Sequence, residues 1–176
     1  ITDNAATALA NCCTFNGSLV ASDDSNQTAY AVTPNPDAAQ AWRLHRISLA
    51  TGAAVTVDLP VGERVAALLR RPATATLFAL SDAGAGLRLV TISNAGVVTP
   101  RGSTIAADCC AARVGVAALS ADGTRIAFVA RLKSANATTP LSMWVLDAAS
   151  GAIVSSVELS HAPDVLFSNS GTTFST

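Results

Sequence analysis

The chain has 176 residues, half of them hydrophobic and 13% charged, with a formal net charge of −1. That length suits one domain with its own core, and a single lysine, Lys133, leaves no polybasic patch of the kind nucleic acid selects. No apolar run reaches the roughly 18 residues of a membrane-spanning helix, so a mean hydropathy of +0.41 predicts a surface covered in part by other protein or by sugar.

Alanine makes up about a fifth of the chain, yet its apolar residues do not recur at helical spacing. They stand with Val, Thr, Ser and Leu in short runs broken by Gly, Pro, Asn and Asp, which is the pattern of strands and turns. The chain starts at Ile1 rather than Met, and a processed or partial chain is expected. Cys12-Cys13 and a sequon at Asn16 come first. Ser22 to Tyr30 then reads as a turn between strands, with Asp23, Asp24 and the sequon residue Asn26 at its tip. A strand from Trp42 to Leu49 leads through a turn ending at Gly52 to another from Ala53 to Leu59. The pattern returns at Arg70 to Phe78, Gly86 to Ser93 and Val97 to Thr99, following Arg64. It returns again, after Cys109-Cys110, as Val114 to Ser120, Thr124 to Arg131, Leu141 to Asp147 and Ala152 to Leu159. The third sequon, at Asn136, lies in the polar loop from Lys133 to Pro140. A fourth unit opens with Val165-Leu166-Phe167 and Ser168 to Phe174.

The corresponding positions Ser22, Arg70, Ser120 and Ser168 are 48, 50 and 48 residues apart. A repeat of about 49 residues, each reading as four antiparallel strands, exposes two apolar faces per unit and requires stacked neighbours. The expected fold is all-β: a β-propeller of four-stranded blades. About 3.5 blades are expected in one partial domain over 1–176, at 12–60, 61–107, 108–160 and 161–176 (incomplete), completed by further chain or by a neighbouring copy. An immunoglobulin-like sandwich is the alternative, but it carries no repeat.

Ser120-Ala121-Asp122-Gly123-Thr124-Arg125-Ile126-Ala127-Phe128, followed by Met143-Trp144-Val145-Leu146-Asp147, resembles the Ser-Pro-Asp-Gly repeat of TolB-type and related WD40-like propellers. Ala121 stands where that repeat carries Pro, and the other units match loosely. The resemblance implies the fold and transfers no catalytic residue. Proteins of that kind are periplasmic, extracellular or joined to peptidases.

Each candidate site has a structural reading beside its functional one. The cysteine pairs Cys12-Cys13 and Cys109-Cys110 have no zinc spacing; disulfides are expected, within a pair or to a neighbouring subunit. Asp23, Asp24 and Asn26 are oxygen-rich but miss the register of a calcium loop, so an ordinary turn is expected. His45 and His161 have no neighbouring carboxylate that would make either a base, and no Gly-x-Ser-x-Gly elbow exists. Arg64, Arg70 and Arg71 read as a solvated basic edge, and Trp42 and Trp144 as equivalent aromatics between blades. No catalytic residue, metal or cofactor is therefore expected. The function that fits is a non-catalytic extracellular interaction module, secreted or at the cell surface. Its partners are other protein domains or subunits, and glycans stand at one or more of Asn16, Asn26 and Asn136. The alternatives are a propeller accompanying a prolyl-oligopeptidase-like or lactonase-like hydrolase, and a sugar- or peptide-binding propeller.

Overall fold

A computed structural model describes residues 19–23, 26–35, 37, 42–71, 74, 76–82, 84–108, 117–132 and 141–159. Its described elements are all strands, gathered into three antiparallel sheets. The first sheet is β1 (Val20–Asp23), β2 (Thr28–Pro34), β3 (Trp42–Ser48) and β4 (Ala54–Asp58), paired in that order. The second is β5 (Arg64–Arg70), β6 (Leu77–Asp82), β7 (Leu87–Ile92) and β8 (Val98–Ile105). The third is β10 (Ala117–Leu119), β11 (Arg125–Leu132), β12 (Leu141–Asp147) and β13 (Ile153–Leu159), with β9 (Ala107–Asp108) also pairing β11. These are three blades of a propeller, each a meander in which every strand pairs with the next.

Two boundaries differ from the sequence reading. The second unit was expected to run to 107, but Ala107 pairs with Leu132 and Asp108 with Arg131, so β9 belongs to the third blade. The described residues pair β11 with both β9 and β10 along the same edge. β8 extends to Ile105, well beyond the expected Thr99. The polar run Thr99-Pro100-Arg101-Gly102-Ser103 hides it from an apolar count, because this outer strand is exposed along most of its length. The expected fourth unit, 161–176, lies outside the described residues.

Among the described residues the core is two layers of side chains, one between each pair of neighbouring blades. Tyr30, Val32, Trp42, Leu44 and Leu59 of the first blade meet Val65, Leu68, Leu77, Ala79, Val90 and Ile92 of the second. On its opposite side the second blade offers Ala66, Ala67, Phe78, Leu80, Leu87, Leu89 and Ile105 to Ile126, Phe128, Ala130, Trp144, Leu146 and Ala148 of the third. Successive strand side chains point to opposite faces, so a blade buried on both sides must be apolar at nearly every position. That explains the runs Val65-Ala66-Ala67-Leu68-Leu69 and Leu77-Phe78-Ala79-Leu80. A bulge between Val65 and Ala67 turns both Ala66 and Ala67 toward the third blade.

β5 lies against both β1 and β10, which places the first strand of each blade innermost and β4, β8 and β13 outermost. The outer strands reach the next blade through its last hairpin turn. Gly96, between β7 and β8, has φ +77, and a Cβ built there would come within 2.6 Å of Val57 Cγ1 and 2.9 Å of the Asp58 carbonyl on β4. Gly151, between β12 and β13, has φ +70 and lies against the Arg101 carbonyl and Gly102 on β8. Only glycine satisfies both the left-handed backbone and the close approach.

Candidate functional site: the turn face

The turns β1–β2 and β3–β4 stand at one end of their blade, held together by Leu49 N–H donating to the Gln27 carbonyl at 2.7 Å. In the third blade Ala148 N–H donates to the Thr124 carbonyl at 2.9 Å in the same way. This end of the stack carries Asn26 and the Ser120–Thr124 motif.

In the third blade the Ser120-Ala121-Asp122-Gly123-Thr124 motif is a self-capped turn. Asp122 Oδ1 accepts from the Ser120 hydroxyl at 2.6 Å and from Thr124 N–H at 3.0 Å, while Oδ2 accepts from the Thr124 hydroxyl at 2.8 Å. Those donors, Ser120 first, hold the Asp122 carboxyl down at about 2. Asp147 Oδ1 accepts from Ser150 N–H at 2.9 Å and the Ser150 hydroxyl at 2.8 Å, which also lowers its carboxyl. Its Oδ2 pairs with Arg125 at 2.5 Å. Both carboxylates stay ionised at neutral pH with their oxygens committed to the turns, an arrangement that suits neither proton transfer nor nucleophilic attack.

The oxygen-rich turn of the first blade is committed as well. Asp23 is buried, accepts from Asn26 Nδ2 at 2.7 Å, and pairs with Arg70 of the second blade. The two side chains are 6% and 7% exposed. Asp23 thus answers a guanidinium where the sequence reading expected an ordinary turn; Asp24 lies outside the described residues. This corrects the reading of Arg70 as part of a solvated edge: its β-strand partner is local, but its counter-ion comes from 47 residues upstream. Arg71 turns the other way and lies over Gly123, whose added Cβ would sit 2.9 Å from Arg71 Cγ. One dipeptide on the second blade therefore pairs with the first blade through Arg70 and lies over a turn of the third through Arg71.

Asn26 is exposed at the tip of this turn, with the sequon's Thr28 hydroxyl donating to its carbonyl at 3.0 Å. Cys12, Cys13, Cys109, Cys110, Asn16, Asn136 and His161 lie outside the described residues. The two tryptophans are both buried between blades, Trp42 against the second blade from one side and Trp144 from the other. They are not equivalent: Trp42 pairs with Pro34 at the start of β3, whereas Trp144 pairs with Phe128 in mid-strand and stacks on it at 6.4 Å.

Two polar clusters have no counterpart in the sequence reading. Glu63 is buried and accepts from the Ser81 hydroxyl and from Arg88. The signal was a polar pair, Ser81 opposite Arg88, inside two apolar strands. His45 bridges Thr33, 2.8 Å from Nε2, and Thr56, 3.1 Å from Nδ1, across three strands. Burial, with Arg43 adding to it, lowers its proton affinity. Among the described residues no group of three or more His, Cys, Asp or Glu could hold a metal ion.

No protein-family profile and no curated protein matches this sequence. Solved structures do match in fold. TolB from Acinetobacter baumannii superposes with a TM-score of 0.52 at 17% identity, over 79% of this chain and 31% of TolB. An acylaminoacyl peptidase from Pyrococcus horikoshii gives a TM-score of 0.47 at 8% identity, over 74% of this chain and 23% of the peptidase. The chain spans less than a third of either protein, and the likeness to TolB shows that its blades are those of a β-propeller.

Proposed function

We propose that this chain is a non-catalytic propeller scaffold that binds other protein domains or subunits through its outer strands. The observation that carries this reading is the contrast between the two kinds of surface. The polar residues of the turn face are spent on holding turns and blades together, whereas β13, an edge strand among the described residues, leaves Ile153, Val154 and Val157 each about half exposed (51–53%). An apolar edge with open backbone groups is a template for another chain. Placing a photo-crosslinking amino acid at Val154 should give protein adducts in the native setting, with the same group at exposed Gly84 as the control. Adducts at neither or equally at both, or turnover of an ester, peptide or glycoside that Asp122→Asn abolishes, would overturn the reading.

The scaffold acts outside the cell in this proposal, and the support is the exposed sequon turn at Asn26 together with the low charge of the chain. Expression through a eukaryotic secretory route should add a glycan at Asn26 without loss of folding. Recovery of the native protein with Asn16, Asn26 and Asn136 all unmodified removes that support.

A further inference from the structure

Two of the contacts between blades share a form and differ in chemistry. The β7–β8 turn lies on β4, where a Cβ on Gly96 would come within 2.6 Å of Val57 Cγ1, and the β12–β13 turn lies on β8 at Arg101 and Gly102. β8 is exposed from Thr99 to Thr104 and carries no exposed large hydrophobic side chain. Around the first contact two valines stay in the open: Val55 on β4, 50% exposed, and Val97, the residue after Gly96, 59% exposed. Val55 is two residues from Val57 and so on the same face, about 7 Å along the strand. That face is turned to the second blade, since Val55 pairs with Arg46, Arg46 pairs with Tyr30, and Tyr30 is buried between the first two blades. The seam thus runs between two described blades rather than at an end of the stack.

Arg46 gives the seam its charge. It stands between Tyr30 and Val55 in the ladder, and cross-strand partners share a face. Arg43, three residues earlier and on the opposite face, is paired with both Asp37 and Asp58. Arg46 is half-buried, and among the described residues its guanidinium has no ion pair and no hydrogen bond. A cation that gives up part of its water without gaining a carboxylate favours a ligand that brings one. A lone exposed valine carries no message. Two valines around one close contact, with an unpaired guanidinium across the ladder from the first, select for an aliphatic group and an anion together.

We propose that the seam between β4 and the β7–β8 turn binds an extended segment of a partner protein in which an Asp or Glu stands beside an aliphatic residue. The aliphatic side chain covers Val55 and Val97, and the carboxylate takes the guanidinium of Arg46. One arginine among valines suits a single carboxylate and gives a polyanion nothing further to hold. The proposal rests on the scaffold reading and names the chemistry of its partner.

Selection of short random peptides displayed on phage against the purified chain should enrich sequences with an Asp or Glu next to Val, Leu or Ile. Toward a synthetic peptide of the selected sequence, Val55→Thr should weaken binding about fivefold, through loss of one buried methyl group. Arg46→Gln should weaken it by a similar factor of about five. The decisive comparison changes the peptide as well. Replacing its acidic residue by the amide should cost about fivefold on the parent protein and nothing on Arg46→Gln. Both substitutions keep the shape of the residue they replace, and the comparison between peptides holds even if one of them lowers the melting temperature. No enriched sequence, a basic consensus, or an equal loss for the amide peptide on both proteins overturns the proposal. A chain that fails in this way and still crosslinks from Val154 but not from Gly84 loses the seam and keeps the scaffold reading. Binding that depends on Arg46 without adducts from Val154 keeps the seam and removes β13 as the docking strand.

Discussion

Asp23 and Arg70 illustrate how a charge pair between sheets differs from one on a surface. Both side chains are almost wholly buried, so each depends on the other for the solvation it gave up. Asp23→Asn should cost about 3–5 kcal/mol in urea unfolding, because the guanidinium stays buried without its counter-charge. Combining Asp23→Leu with Arg70→Met should recover most of that loss; a double variant as unstable as the single would rule this explanation out. Titration gives a second test. His45 binds its proton less well folded than unfolded, so the unfolded chain takes up more protons as pH falls below about 6.5 and stability declines there. His45→Gln should flatten that decline in thermal melts. Asp122 has the acidic counterpart: its folded value of about 2 lies below the ordinary 3.8. Its contribution is therefore complete above pH 3.8 and disappears as pH falls through 2, and Asp122→Asn should remove that step. The sequence placed Asp122 in a turn correctly, because its partners Ser120 and Thr124 lie within two residues. It misread Arg70 because nothing local reveals a partner in another sheet.

At the scale of the element, the hairpins and the outer strands β4 and β13 were legible, and the full extent of β8 was not. Inner and middle strands announce themselves by burial, as in Leu77-Phe78-Ala79-Leu80, whereas β8 alternates with nothing apolar and extends on backbone pairing alone. The turn glycines were legible as turn residues; their second duty, admitting the neighbouring strand, is a tertiary fact. The two duties can be separated. Gly84→Ala meets open space at φ +85 and should cost only the left-handed backbone term, about 1–2 kcal/mol. Gly151→Ala carries the same backbone term and must also push the Arg101 carbonyl away, so its midpoint in urea should fall further. Equal losses would mean that the contact of Gly151 with β8 is slack.

At the scale of the molecule, the repeat period identified the architecture because each period is one blade, and blade stacking is the only way such sheets bury both faces. What the repeat could not reveal is that, among the described blades, the second is apolar on both sides and joined to the first by the buried Arg70–Asp23 pair. Leu80, 0% exposed, faces the third blade only. Leu80→Ala should cost about 2–5 kcal/mol, and hydrogen exchange should rise in β11 and β12 more than in β2 and β3. Uniform acceleration across all three blades would show that the stack opens as one unit.

The order of the strands also sets a clock during synthesis. The ladder of the first blade is complete at Asp58, using only neighbours in sequence. The side chains that cover Tyr30, Val32, Trp42 and Leu44 extend to Ile92. At ribosomal speeds of roughly 5–20 residues per second, the nascent first blade waits roughly 2–7 s with that apolar face uncovered. A sheet that has its hydrogen bonds but not its neighbour is the species a chaperone recognises, so slow translation between Leu59 and Ile92 lengthens exposure, and fast translation there shortens it.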